Sequence, residues 1–187
     1  MTARRCLRIM AGFALALLTA GCLTSDPTQP AVGSPTELRV APGDKIRIVV
    51  FGEDKLSGDY QIDNDGNISM PLAGTIKGAG LTKAELEQQI TTGLKSKYLR
   101  DPKVTVDVIS YRPFYVLGEV SKPGEYPFRS GLNVLSAIAI AGGATYRASN
   151  SKVMIQRFGE TEATEVPQST SVLVMPGDVV RVPERYF

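Results

Sequence analysis

The chain has 187 residues, with 21 Lys and Arg against 19 Asp and Glu, a formal net charge of +2, and no histidine. A balance this close to neutral gives a nucleic-acid partner no electrostatic support. The missing histidine and a count of only two cysteines remove the commonest general bases and soft metal ligands, so enzyme readings start from little.

Residues 1–21 read as a signal peptide. Arg4, Arg5 and Arg8 precede an apolar run over residues 9–20, short of the roughly 18 or more residues needed to span a bilayer. Leu18-Thr19-Ala20-Gly21-Cys22 resembles the bacterial lipobox, which implies cleavage before Cys22 and lipid attachment at its thiol. The alternative is an ordinary secretory site with a cysteine nearby. Each buried CH₂ of an acyl chain contributes about 0.8 kcal/mol, so several chains give a stable anchor. Cys6 leaves with the leader and Cys22 carries lipid, so the folded part has no thiol or disulfide and relies on its core. Three arginines also leave, which brings the mature charge to about −1. Residues 22–36, rich in Pro, Ser and Thr, read as a flexible tether between lipid and fold. Leu23 follows Cys22. An Asp there marks inner-membrane retention in enteric bacteria, so the lipobox resemblance implies sorting to the outer membrane.

The first folded domain is expected over residues 37–111. Pro42-Gly43-Asp44 is a turn that launches a strand at 46–51, because Pro presets φ, Gly takes φ > 0 and Asp caps the turn. Pro176-Gly177-Asp178 repeats the phrase before residues 179–182. Convergent turn chemistry is preferred over duplication as its origin. Asn64-Asp65-Gly66 between residues 60–63 and 67–70 predicts a hairpin. Asp63, Asp65 and Asn67 have the spacing that opens a calcium loop, but no glutamate stands at the twelfth position. The glycines of GTIKGAG lack the Lys-Ser/Thr of a phosphate loop and read as turns beside a short strand at 75–77. Thr82 and Glu85 form a capping box, with Leu81 placed to staple against Leu86. Leu86, Ile90, Leu94 and Tyr98 are spaced by four and predict a buried helical stripe, ended by Asp101-Pro102. Val104, Val106 and Val108 alternate with polar residues in a strand at 104–109.

Arg112-Pro113 interrupts this strand and joins it to a second domain over residues 112–187. The joint is short enough to leave the two modules little freedom. An apolar strand begins at Phe114 and stops at Gly118. Pro123-Gly124 turns into a short strand at 125–128. Asn133 caps a helix at 134–141 that is apolar nearly all round and so expected to be buried, with Gly142-Gly143 as its left-handed C-terminal cap. Strands are expected at 152–157, 172–174 and 179–182. The sum is an α+β chain whose second half is a β-grasp-like roll.

These motifs, taken in order, resemble a known family. Pro42-Gly43-Asp44, the Asp65-Gly66 turn with Met70-Pro71-Leu72-Ala73-Gly74, Gly80-Leu81-Thr82 and Asp101-Pro102-x-Val-x-Val are similar to the polysaccharide export domain. Val116-Leu117-Gly118-Glu119-Val120, Pro123-Gly124, Ala141-Gly142-Gly143, Arg157 and Pro176-Gly177-Asp178 resemble the soluble-ligand-binding β-grasp (SLBB) domain. The resemblance runs from about Thr36 to Glu184 and implies an outer-membrane lipoprotein of capsule or exopolysaccharide export. It implies a homo-oligomeric ring, such as an octamer, that faces the periplasm and works with an inner-membrane polysaccharide co-polymerase. Larger members carry a C-terminal amphipathic helix that lines the pore. After Pro183-Glu184-Arg185-Tyr186-Phe187 no such segment follows here, so the chain resembles the short members.

The leading expectation is therefore a ring or adaptor for the exported polysaccharide. A monomeric periplasmic binding module for a glycan or small ligand is the alternative. A glycan hydrolase ranks third, because Asp63 and Asp65 at a hairpin tip are poorly placed for acid catalysis. No catalytic residue, cofactor, metal or nucleic acid is implied. The polar residues expected to project from loops towards a glycan are Glu53, Asp54 and Lys55 in the first domain and Arg147, Ser149 and Asn150 in the second. Arg147 is the best of these, because a guanidinium can grip hydroxyls or carboxylates bidentately.

Overall fold

The structure is a computed structural model, described here for residues 37–96 and 98–185. The leader, Cys22, the tether and the Tyr186-Phe187 end lie outside the described residues. Residues 37–185 fall within one compact unit that holds two separate hydrophobic cores.

The first core is built around β1 (Lys45–Val50), whose Ile46, Ile48 and Val50 point inward while Lys45, Arg47 and Val49 point out. β1 pairs antiparallel with β2 (Gly58–Gln61) on one side and β5 (Val104–Ser110) on the other. Helix α1 (Lys83–Lys95) lays Leu86, Ile90 and Leu94 on this sheet, with Thr82 and Glu85 closing the capping box in both directions. Glu87 of α1 accepts a bond from the Val106 amide at 2.9 Å. A helix carboxylate thus satisfies an outward N–H on the free edge of β5, where another strand could otherwise add.

Two expectations for this half change. Asn64-Asp65-Gly66 does turn the chain, but no hairpin ladder forms across it. Asp63 Oδ1 accepts from the amides of Asp65 (3.0 Å) and Asn67 (2.7 Å) in an Asx-type turn. The flanking segments then part: β2 stays on β1, while β3 (Asn67–Met70) pairs with β4 (Gly74–Lys77). The Asp63 N–H still bonds the Asn67 carbonyl across the turn at 2.9 Å, but the pairing goes no further because β3 takes β4 as its partner. The helical stripe ends at Leu94. Ser96 caps α1, Tyr98 lies beyond it at 52% exposure, and Leu99 packs on the core instead.

The second core is covered by a five-stranded sheet of β6 (Phe114–Gly118), β7 (Gly124–Tyr126), β8 (Lys152–Gln156), β9 (Ala163–Pro167) and β10 (Val179–Val182). Their order is β7-β6-β10-β8-β9, and β6 runs parallel to the central β10 while the other pairs are antiparallel. This is the expected β-grasp arrangement. Helix α2 (Val134–Ile140) presents Val134, Ala137 and Ile138 to the core. Gly142 and Gly143, at φ of 82° and 86°, return N–H bonds to Ala139 and Ile138.

Three details differ from expectation. Leu135 and Ile140 of α2 are exposed, so the helix has an outer face despite its apolar sequence. Residues 172–174 form no strand. Their backbone bonds to the entry of α2 through Val134 N–H to Val172 and Val174 N–H to Leu132. The edge position is taken by β9, Ala-Thr-Glu-Val-Pro, whose polar composition concealed it.

Candidate functional site

Three residues, Tyr111, Arg112 and Pro113, separate β5 from β6. Each repeated Pro-Gly-Asp turn ends in a buried aspartate. In the first, Asp44 Oδ2 accepts from the Ala41 amide at 2.8 Å and from Arg112 Nη1 at 3.0 Å. In the second, Asp178 Oδ2 accepts from the Met175 amide at 2.7 Å and from Arg157 Nη1 at 2.6 Å. The two turns therefore share one design, an aspartate that closes its own turn and holds an arginine. Arg112 also lies over the Phe158 ring, 4.3 Å from its centroid, and Gly177 N–H donates to the Pro113 carbonyl. The joint is thus bonded to both turns. Burial pushes the Asp178 carboxyl up from its ordinary range, against the opposing pull of the Met175 amide and Arg157.

From this joint each launched strand leads away to a loop cluster that contains some of the residues expected to meet a ligand. At the far end of β1 lie Glu53, half-buried, and Asp54 and Lys55, both exposed. Ser57 Oγ organises this tip by accepting from the Val50 amide and donating to the Glu53 carbonyl. Phe51, 82% exposed, stands at its entrance.

At the far end of β10, the chain after Val182 runs beside residues 145–149. Ala148 bridges Glu184, Ser149 N–H donates to the Pro183 carbonyl, and Arg185 N–H donates to the Arg147 carbonyl. Arg147 projects here, but its fork is engaged: Nε donates to Glu184 Oε1 at 2.9 Å, and Nη2 reaches the same oxygen. That pairing, with added attraction from Glu184 and Glu119, holds the guanidinium proton more firmly than usual. Asn150 is exposed. Ser149 is a correction, since it is only 8% exposed and its hydroxyl lies beside that of Ser151. Its backbone is drawn in by pairing with Pro183, so it does not project.

Reasoning from sequence missed Tyr146. It is 88% exposed, unusual for a side chain this large and apolar, and it borders a surface cavity of about 190 Å³ lined by Tyr146, Arg147, Glu184 and Arg185. The signal was present as Tyr146 next to Arg147, but Glu184 is brought beside them only by the fold. The structure does not bring the β1 tip and this cluster together.

Residues 32–109 match the family described as polysaccharide biosynthesis/export protein, and residues 113–166 match the SLBB domain. The chain carries a polysaccharide biosynthesis/export domain followed by an SLBB domain. Within the export-domain match lie the first core and its Pro-Gly-Asp turn. The SLBB match begins at Pro113, immediately after Arg112. Among curated relatives, the chain is 32% identical to the exopolysaccharide production protein ExoF of Rhizobium meliloti over 86% of its own length and 39% of ExoF. It is 30% identical to the EPS I polysaccharide export outer membrane protein EpsA of Ralstonia nicotianae, over 83% of this chain and 50% of EpsA. The polysialic acid transport protein KpsD of Escherichia coli is 29% identical over 72% of this chain and 25% of KpsD. The chain thus spans half or less of the length of these relatives. No helix among its described residues is long and apolar enough to cross a membrane.

Proposed function

We propose that this protein is a non-enzymatic component of a polysaccharide export system, held at the outer membrane by lipid on Cys22 and facing the periplasm. The observation that carries this reading is the pairing of an export domain with an SLBB domain, in that order. Relatives named for polysaccharide export and exopolysaccharide production add support. In this reading the chain acts as a homo-oligomeric ring or adaptor, with an inner-membrane co-polymerase as its partner and a capsular or exopolysaccharide as its cargo.

The joint suits that role. A ring must keep its shape while a polymer passes, and Arg112 is bonded on the Asp44 side and stacked on Phe158 beyond it. Contacts to the glycan are weak and spread over the β1 tip (Glu53, Asp54, Lys55) and the second-domain cluster (Arg147, Asn150), because tight binding would stall a moving chain. Native mass measurement of the lipidated protein in detergent tests the assembly: a closed multimer is expected, and a monomer at all concentrations would favour a binding module. Deletion of the gene with complementation tests the export role through surface polysaccharide.

A further inference from the structure

We propose that the cavity beside Tyr146 is a subsite for one neutral pyranose ring of the exported polymer, stacked on Tyr146 and hydrogen-bonded to the Arg147–Glu184 pair. The inference rests on the export reading and adds to it a place and a sugar chemistry.

The aromatic ring comes first. A tyrosine that is 88% exposed leaves an apolar face in water, and none of the ring pairs among the described residues includes it. The axial C–H groups of a pyranose form a flat apolar patch that such a face can cover, while the equatorial hydroxyls stay at the rim. A tyrosine has few rotatable bonds, so holding it against a sugar costs little conformational freedom.

The charged pair supplies the second half of the site. Both contacts from Arg147 to Glu184 fall on Oε1. Among the described residues, Arg147 Nη1 and Glu184 Oε2 take part in no hydrogen bond. One is a donor and the other an acceptor, on neighbouring groups at the cavity wall. Two adjacent hydroxyls of a sugar match that arrangement, one accepting from the guanidinium and the other donating to the carboxylate. A sugar carboxylate would meet Arg147 and Arg185 but set an oxygen against Glu184 Oε2, where a hydroxyl can donate.

Size and placement agree. At about 190 Å³ the cavity is smaller than the roughly 300 Å³ at which pockets that enclose a small molecule begin, so it takes one face of one ring, with the polymer continuing on both sides. It is framed by backbone bonds from Ser149 to Pro183 and from Arg185 to Arg147, so platform and pair are held on one support.

The test is saturation-transfer NMR on the full lipidated chain in a non-glycosidic detergent. Methyl β-glucopyranoside and methyl β-glucuronide serve as probes. Wild type should transfer saturation to the C–H face of the neutral glycoside, with millimolar affinity. Tyr146→Phe keeps the ring and should stay within about twofold, while Tyr146→Ala should weaken binding at least about tenfold. Glu184→Gln should weaken it severalfold without changing the fold seen by amide spectra. No transfer in wild type, unchanged transfer in Tyr146→Ala, or clear preference for the glucuronide would each overturn the subsite. Those results leave the export role standing, whereas unaltered surface polysaccharide after gene deletion would remove the export role and leave the binding data intact.

Discussion

Arg112 holds Asp44 from two directions: its backbone amide lies 2.7 Å from Oδ1, and its Nη1 lies 3.0 Å from Oδ2. Asp44 is fully buried and the Arg112 side chain is 13% exposed, so this ion pair is shielded from solvent. Of the ion pairs among the described residues, those at Arg39, Arg47, Lys83, Arg147 and Lys152 are about half exposed and contribute little. The Asp44 pair differs because removing one partner strands the other without water.

Asp44→Ala should therefore destabilise the protein by about 3–5 kcal/mol, the range for breaking a buried pair. The loss should appear on both sides of the joint. Hydrogen exchange should accelerate at the start of β1 and at the start of β6, since Arg112 links the two regions. Faster exchange confined to the first core would show that the joint does not couple the domains.

Gly118 predicts a sharper effect. Its φ is 86°, and a Cβ there would stand 2.2 Å from the Val182 carbonyl oxygen. The parallel pair β6–β10 closes at this point, where Gly118 is in register with Val182. Gly118→Ala should cost about 2–4 kcal/mol from left-handed strain and overpacking together. Gly131→Ala, at a similar φ but with open space around it, should cost about 1 kcal/mol. Equal midpoints for the two variants in urea unfolding would contradict the close approach.

Asp178 predicts a pH dependence. Burial raises its folded pKa above the unfolded value, so the folded state holds the proton more tightly. Its contribution to stability is fullest below the unfolded pKa of about 4 and declines as pH rises through the higher folded value. The stability of wild type minus that of Asp178→Asn should fall as pH rises from below the unfolded value of about 4 through the raised folded one. Urea unfolding at several pH values measures this difference. A difference that grows with pH would reverse the sign and rule out desolvation as the dominant cause.

Cys22→Ser should yield a protein released into the periplasm, with surface polysaccharide strongly reduced. Fractionation and polysaccharide staining check both effects. A variant that stays with the outer membrane and supports normal export would exclude lipid anchoring as the mechanism.

Much of the fold was legible because local chemistry decided it. The Thr82–Glu85 box, the Asn133 cap, the paired glycines 142 and 143 and the alternation in β5 each depend on residues close in sequence. Legibility ended where long-range pairing took over. Across the Asn64-Gly66 turn Asp63 bonds Asn67, but β3 then pairs with β4 instead of extending a hairpin. β9 carries the polar sequence of an edge, and residues 172–174 look like a strand but are bonded to the entry of α2. The same limit applied at the candidate site. Arg147 was visible as a loop arginine, but its partner Glu184 lies on a distant segment, and Ser149 is buried by the same pairing. Tyr146 passed unnoticed because exposure is a property of the whole surface.

The position of β10 sets the order in which the second domain can assemble. It is the last strand of the sheet in sequence and the middle one in space, between β6 and β8. Until it arrives, β6–β7 and β8–β9 are two hairpins with no ladder between them, each too small to be stable alone. The first domain depends on no such late arrival, since β1 is at its centre and its strands follow. A chain emerging N-terminus first can thus fold its export half while the SLBB half waits, and closure of that half is a late, slow, long-range step. A truncation between Pro167 and Val179 would leave two exposed inner edges, on β6 and β8, and such a product should aggregate.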